Sequence, residues 1–87
     1  TLLYVEDDDE VRRNAVEYLS RLCREVYEAH DGREAIRVWR EKHPDIIVAD
    51  IRMPRLNGLD MAAYIRVHDP DVQIIIATAY TDKEYLM

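Results

Sequence analysis

The chain has 87 residues, with 18 Asp and Glu against 12 Lys and Arg, a formal net charge of −6, and 48% apolar against 34% charged residues. That length makes one domain at most. The acidic balance argues against direct nucleic-acid or anionic-membrane binding, which needs clustered Lys and Arg. No apolar run approaches the roughly 18 residues of a membrane span, and no signal-peptide pattern is present. A single cysteine, Cys23, excludes an internal disulfide and fits a reducing, cytoplasmic setting.

In chain order, Leu2 to Val5 is a short apolar run with strand character, followed by five consecutive acids, Glu6 to Glu10. From Val11 the period becomes helical: Val11, Ala15, Tyr18, Leu19 and Leu22 share one face, with Arg12, Arg13, Glu17 and Arg21 elsewhere. Asp8 or Asp9 is suited to cap this helix, where acids meet its positive end. Cys23 falls beside the inward side, as a small core residue does. Glu25 to Ala29 reads as a second strand. Asp31-Gly32 then turns into a second helix with Ala35, Ile36, Val38 and Trp39 as its apolar residues. Pro44 stops that helix and biases His43 out of the α region.

Ile46 to Ala49 is an unbroken run of apolar and small residues, the mark of a strand buried on both faces of a parallel sheet. It delivers Asp50 at its C-terminal end, where ligands gather in open α/β sheets. Asn57-Gly58 precedes a segment (Leu59, Ala62, Ala63, Ile65, Arg66) spaced for a helix, so Gly58 is expected to supply a positive φ before it. Residues 68–71 form a loop, Val72 to Ala77 a fourth strand, and Tyr80 to Met87 opens a fourth helix capped by Thr81 or Asp82. Strands and helices alternate throughout, which indicates an α/β fold with a parallel sheet and right-handed crossovers.

Three strand ends carry polar groups: Glu6 and Asp7 after the first strand, Asp50 after the third, Thr78 after the fourth. If those strands are neighbours, three carboxylates and a hydroxyl converge on one sheet edge. Close like charges raise one another's pKa values, so the cluster is unfavourable unless a cation sits in it. Mg²⁺, which takes oxygen ligands, answers this need. No Cys or His pair nearby suggests zinc, and contiguous acids lack the spacing of an EF-hand loop.

These residues resemble the receiver domain of two-component response regulators. The resemblance is carried by Val5-Glu6-Asp7, Pro44-Asp45, Asp50-Ile51-Arg52-Met53-Pro54, Asn57-Gly58 and Thr78-Ala79, and covers the whole chain. It implies a flavodoxin-like, doubly wound parallel sheet of strand order 2-1-3-4-5. Asp50 would accept a phosphoryl group from a sensor histidine kinase or phosphotransfer protein. Glu6, Asp7, Asp50 and the backbone carbonyl of Arg52 would hold Mg²⁺, and the Thr78 hydroxyl would contact the phosphoryl group. The partners implied are the kinase and an output domain or downstream protein, with homodimerisation also open. Such a domain phosphorylates itself and is not a turnover enzyme.

The resemblance has limits. The family's fifth strand, with its lysine and aromatic switch residue, is not in these residues, and neither Lys83 nor Tyr80 takes those roles. The expectation is a receiver domain over residues 1–87 that lacks its C-terminal part, with the fourth strand an open edge inviting association. Asp8 and Asp9 are read as helix-start residues, not ligands. A phosphatase of the haloacid-dehalogenase kind needs a second Asp where Arg52 stands, and a flavodoxin-type cofactor binder needs a phosphate loop after the first strand. A phosphorylation-incompetent interaction or dimerisation module is the alternative.

Overall fold

A computed structural model of the chain describes residues 1–50 and 57–77. The elements are β1 (Leu2–Val5), α1 (Asp9–Leu19), β2 (Val26–Ala29), α2 (Gly32–Lys42), β3 (Ile46–Asp50), α3 (Gly58–His68) and β4 (Gln73–Ala77). All strand pairs are parallel and the sheet order is β2-β1-β3-β4. This is the flavodoxin-like doubly wound arrangement, in the order expected for the first four strands. The expected fourth helix and Thr78 lie outside the described residues.

The strand order dictates where the helices go. The chain steps from β1 to β2 in one direction, then returns past β1 to β3 and continues to β4. With right-handed crossovers, that reversal puts α1 on one face of the sheet and α2 and α3 on the other. Accordingly α2 packs on α3, while α1 touches β1 and β2. The core lies under α2 and α3: Leu3 and Val5 of β1 and Ile47 and Ala49 of β3 meet Ala35, Trp39, Met61 and Ile65. Reversal of direction also opens a crevice between the C-terminal ends of β1 and β3, the topological switch point of such sheets.

Caps are made by the side chains that turn chemistry favours. Asp8 caps α1 by accepting from the Val11 N–H at 3.0 Å, Asp31 caps α2 from Glu34 at 2.8 Å, and Asn57 caps α3 from Asp60 at 2.9 Å. At the far end of α2, His43 leaves the α region as Pro44 requires, but enters the left-handed region (φ 47°, ψ 61°) and donates its N–H to the Trp39 carbonyl at 2.9 Å. Asp69 ties the next connection to α2. It accepts from Trp39 Nε1 at 3.1 Å and from the N–H groups of Asp71 and Val72 at 3.2 Å.

Three sequence expectations need correction. Gly58 has no positive φ; it is the buried first residue of α3, with Asn57 preceding it in extended conformation. Once Asn57 sets the phase, Gly58, Met61 and Ile65 face the sheet and Leu59 is left 56% exposed. The face of α1 is also rotated: Val11, Tyr18 and Leu22 are exposed, whereas Arg12, Ala15, Val16 and Leu19 are half-buried. Positions 12, 15, 16 and 19 are themselves a helical stripe, and Arg12 occupies it because its guanidinium has partners below. Cys23 is half-buried beyond the end of α1.

Met61 is wholly buried in this phase, so Met61→Ala is expected to cost about 2–5 kcal/mol of stability by removing core volume. Leu59→Ala is expected to cost no more than about 0.5 kcal/mol, as surface substitutions do. Denaturant unfolding of the two variants beside the parent chain measures both.

Candidate functional site

The switch-point crevice is where the acids collect. β1 ends at Val5, so Glu6 and Asp7 lie just past its C-terminal end, and β3 ends at Asp50 itself. Register sets Val5 beside Ala49, which brings the two strand ends level. One carboxylate oxygen each from Glu6, Asp7 and Asp50 lies within 4.8 Å of the other two. Glu6 and Asp50 are buried, at 5% and 8% exposure, while Asp7 is exposed toward solvent. An octahedral ion with bonds of about 2.1 Å holds its ligand atoms about 3 to 4 Å apart. Three hard oxygen donors gathered within 4.8 Å therefore suit Mg²⁺, which also keeps several waters for the open side.

The electrostatics show what this arrangement costs without a cation. Glu6 is pushed up to about 7, chiefly because burial penalises its charged form. A hydrogen shared with the Asp7 carboxylate is the next cause, and the charges of Asp50 and Asp7 add to it. The Asp8 N–H, donating to Glu6 Oε2 at 3.1 Å, works in the opposite direction. Tyr4 is also raised, by burial first and then by the charges of Glu6 and Asp50.

The backbone under the acids is held on several sides. The Glu6 N–H donates to the Ala29 carbonyl at 3.0 Å, extending the β1–β2 ladder by one residue. The Glu6 carbonyl accepts from Arg12 Nη1 at 2.9 Å. Arg12 further donates through Nη2 to Asp9 Oδ1 at 2.6 Å and through Nε to Glu28 Oε1 at 3.0 Å. Asp8 and Asp9 serve the start of α1, as cap and as Arg12 partner. Arg12 is the residue that sequence reasoning missed, having left it off the apolar face. Its signal was a cation close to the positive end of a helix, which the helix dipole disfavours unless local acids hold it.

Of the residues singled out from sequence, Glu6, Asp7 and Asp50 come together at one sheet edge. Arg52 and Thr78 lie outside the described residues, as do Met53 and Pro54. No described helix is long and apolar enough to cross a membrane.

A parallel sheet of this order with acids at its switch point defines a class, and comparison with known proteins identifies it. The model of the response regulator receiver domain matches residues 2–87, and the chain belongs to that family. It is 34% identical over 83 residues to Regulatory protein AtoC of Escherichia coli, covering 95% of this chain and 18% of that protein. It is 48% identical over 61 residues to an uncharacterized response regulatory protein of Staphylococcus epidermidis, covering 70% of this chain and 24% of that one. The chain thus spans less than a quarter of the length of these curated relatives. Among solved structures, the response regulator protein TrrA of Thermotoga maritima in complex with Mg²⁺-BeF aligns with a TM-score of 0.86 at 34% identity, over 92% of this chain and 70% of that chain. The N-terminal domain of an uncharacterized Wolinella succinogenes protein gives 0.88 at 35% identity, over 99% and 69%. The protein is thereby a response regulator domain of two-component signal transduction.

The raised Glu6 predicts a pH effect on the metal-free protein. Its carboxyl ionises near 7 when folded and near 4.5 when unfolded, so between those values the folded chain binds more protons. Glu6's contribution to stability is then fully present below the lower value and is lost as pH rises through the upper one. In chelator-containing buffer, Glu6→Gln should remove that part of the pH slope. Unfolding midpoints of both proteins at a series of pH values provide the comparison.

Proposed function

We propose that this domain accepts a phosphoryl group on Asp50 from a sensor histidine kinase or phosphotransfer protein in a Mg²⁺-dependent reaction. The observation that carries the reading is the convergence of Glu6, Asp7 and Asp50 within 4.8 Å at the switch point of the sheet. The similar Thermotoga maritima protein in complex with Mg²⁺-BeF supports the metal. Glu6, Asp7 and Asp50 would hold the ion, with the Arg52 carbonyl as a further ligand on the family's pattern. When bound, Mg²⁺ supplies charge neutralisation for the incoming phosphoryl oxygens.

The chain's residues divide the remaining work. Asp50 is the nucleophile: a carboxylate oxygen forms a bond to phosphorus as the phosphorus–nitrogen bond to the donor histidine breaks, leaving an acyl phosphate. Fixed at the end of a central strand, Asp50 presents its carboxylate with little reorganisation. Glu6 and Asp7 keep the crevice attractive to a cation and unattractive to an unaccompanied anion. Thr78, one residue past β4, would donate its hydroxyl to the phosphoryl group and draw the following segment with it. The domain modifies itself and turns over no separate substrate. Its signal would pass to an output domain or downstream protein in the cytoplasm.

Intact-mass measurement after treatment with a small phosphodonor and Mg²⁺ tests the assignment. A gain of about 80 Da, one phosphoryl group, is expected for the parent chain. Asp50→Asn should abolish it, and undiminished labelling of that variant would remove Asp50 from the role. Absence of any gain in the parent would favour an interaction module.

A second expectation concerns the ligands. Asp7→Asn should weaken Mg²⁺ binding in a calorimetric titration by about tenfold or more, as loss of a charged ligand does, and Asp9→Asn much less. Equal losses would place the ion elsewhere.

A further inference from the structure

We infer that Arg12 is a positioning residue for the carboxylate site: its guanidinium clamps the Glu6 carbonyl between α1 and β2 and so fixes the peptide that carries Asp7. The inference rests on the reading of Glu6, Asp7 and Asp50 as the metal-binding set.

The guanidinium makes three bonds to three different segments. It donates to the Glu6 carbonyl at 2.9 Å past β1, to Asp9 at 2.6 Å in the first turn of α1, and to Glu28 at 3.0 Å on β2. Its side chain is 16% exposed, much less than its two acidic partners at 75% and 52%. A planar fork with donors in fixed directions suits such a junction better than a point charge does. The carbonyl it holds belongs to the same peptide plane as the Asp7 N–H, since peptide units are rigid. The Glu6 N–H is bonded to the carbonyl of Ala29 on β2, next to Glu28. Between them these two bonds set the direction in which the chain leaves β1, and with it the direction of Asp7 toward Asp50. The Glu6 carboxylate, bonded to the Asp8 N–H, closes the same turn.

Charge and geometry make opposite predictions here. By charge alone, removing a cation from beside an acidic cluster should tighten Mg²⁺ binding. If Arg12 positions the ligands, removing it should weaken binding although the site becomes more negative. A general loss of stability leaves the dissociation constant unmoved as long as the chain remains folded.

The test has two readouts on the 87-residue chain and its Arg12→Ala and Arg12→Lys variants. In metal-free buffer, Asp8 amide hydrogen exchange is expected to be faster in Arg12→Ala than in the parent, with the Ile47 amide in the core unchanged. In calorimetric titration with Mg²⁺, Arg12→Ala is expected to bind about tenfold more weakly, the usual cost of losing a partner that orients a ligand. Arg12→Lys, which keeps the charge without the fork, should recover only part of that loss. If Arg12→Ala fails to fold, Arg12→Lys carries both comparisons against the parent. Equal or tighter binding with unchanged Asp8 exchange would overturn the inference. A parent chain that does not respond to Mg²⁺ would overturn the metal reading itself, and the exchange measurement would still show whether the clamp exists.

Discussion

The constraint on which the site depends is electrostatic: three carboxylates are forced to one edge of a parallel sheet by the order of its strands. Nothing in local sequence requires Glu6 and Asp50 to meet, since more than forty residues separate them. They meet because β1 and β3 are paired with Val5 beside Ala49, and because parallel strands put their C-terminal ends on the same side. Burial of Glu6 then penalises its charged form, and the charges of Asp50 and Asp7 add to that cost. A folded domain that carries such a cluster at its switch point tolerates this repulsion, and a bound cation would relieve it.

Stability for that arrangement comes from elsewhere in the molecule. Leu3 and Ile47 of the sheet and Met61 and Ile65 of α3 are wholly buried where α2 and α3 cover the sheet, on the side away from α1. The face bearing α1 is more lightly covered, and that helix has no fully buried residue. Its attachment is instead partly polar, through Arg12 to Glu6 and Glu28. Packing on one face and polar ties on the other divide the labour between holding the sheet and orienting its edge.

Much of this was legible in the sequence. Unbroken apolar runs at Leu2–Val5 and Ile46–Ala49 announced buried parallel strands, and Asp8 was one of two acids suited to cap α1, whereas the caps made by Asp31 and Asn57 were not read from it. Asp50 after such a run, with Glu6-Asp7 after another, was enough to suggest a shared site. Rotational phase was harder to read. Ala15 and Leu19 can share an inward stripe with Val11, Tyr18 and Leu22 or with Arg12 and Val16, and the choice between them rests on contacts that sequence does not display. Arg12 decides it, because a long stem buried against β2 counts as inward whatever its head carries. Met61 and Leu59 illustrate the same ambiguity on α3, which is apolar on more than one side. Gly58 looked like a positive-φ residue because Asn-Gly so often is one. Here Asn57 uses its side chain to cap the helix, and the glycine is packed against the core instead.

Whether Glu6, Asp7 and Asp50 act as one metal site is tested most directly by the effect of Mg²⁺ on unfolding as a function of pH. Protons and metal compete for the same carboxylates, and Glu6 holds its proton up to about pH 7. At pH values above 7, saturating Mg²⁺ is expected to raise the unfolding midpoint clearly, and progressively less as pH falls below 7. Replacing Asp7 by Asn should reduce the shift at every pH. A midpoint indifferent to Mg²⁺, or a shift that is the same at pH 5 and pH 8, would contradict the claim that these three carboxylates form one metal-dependent site.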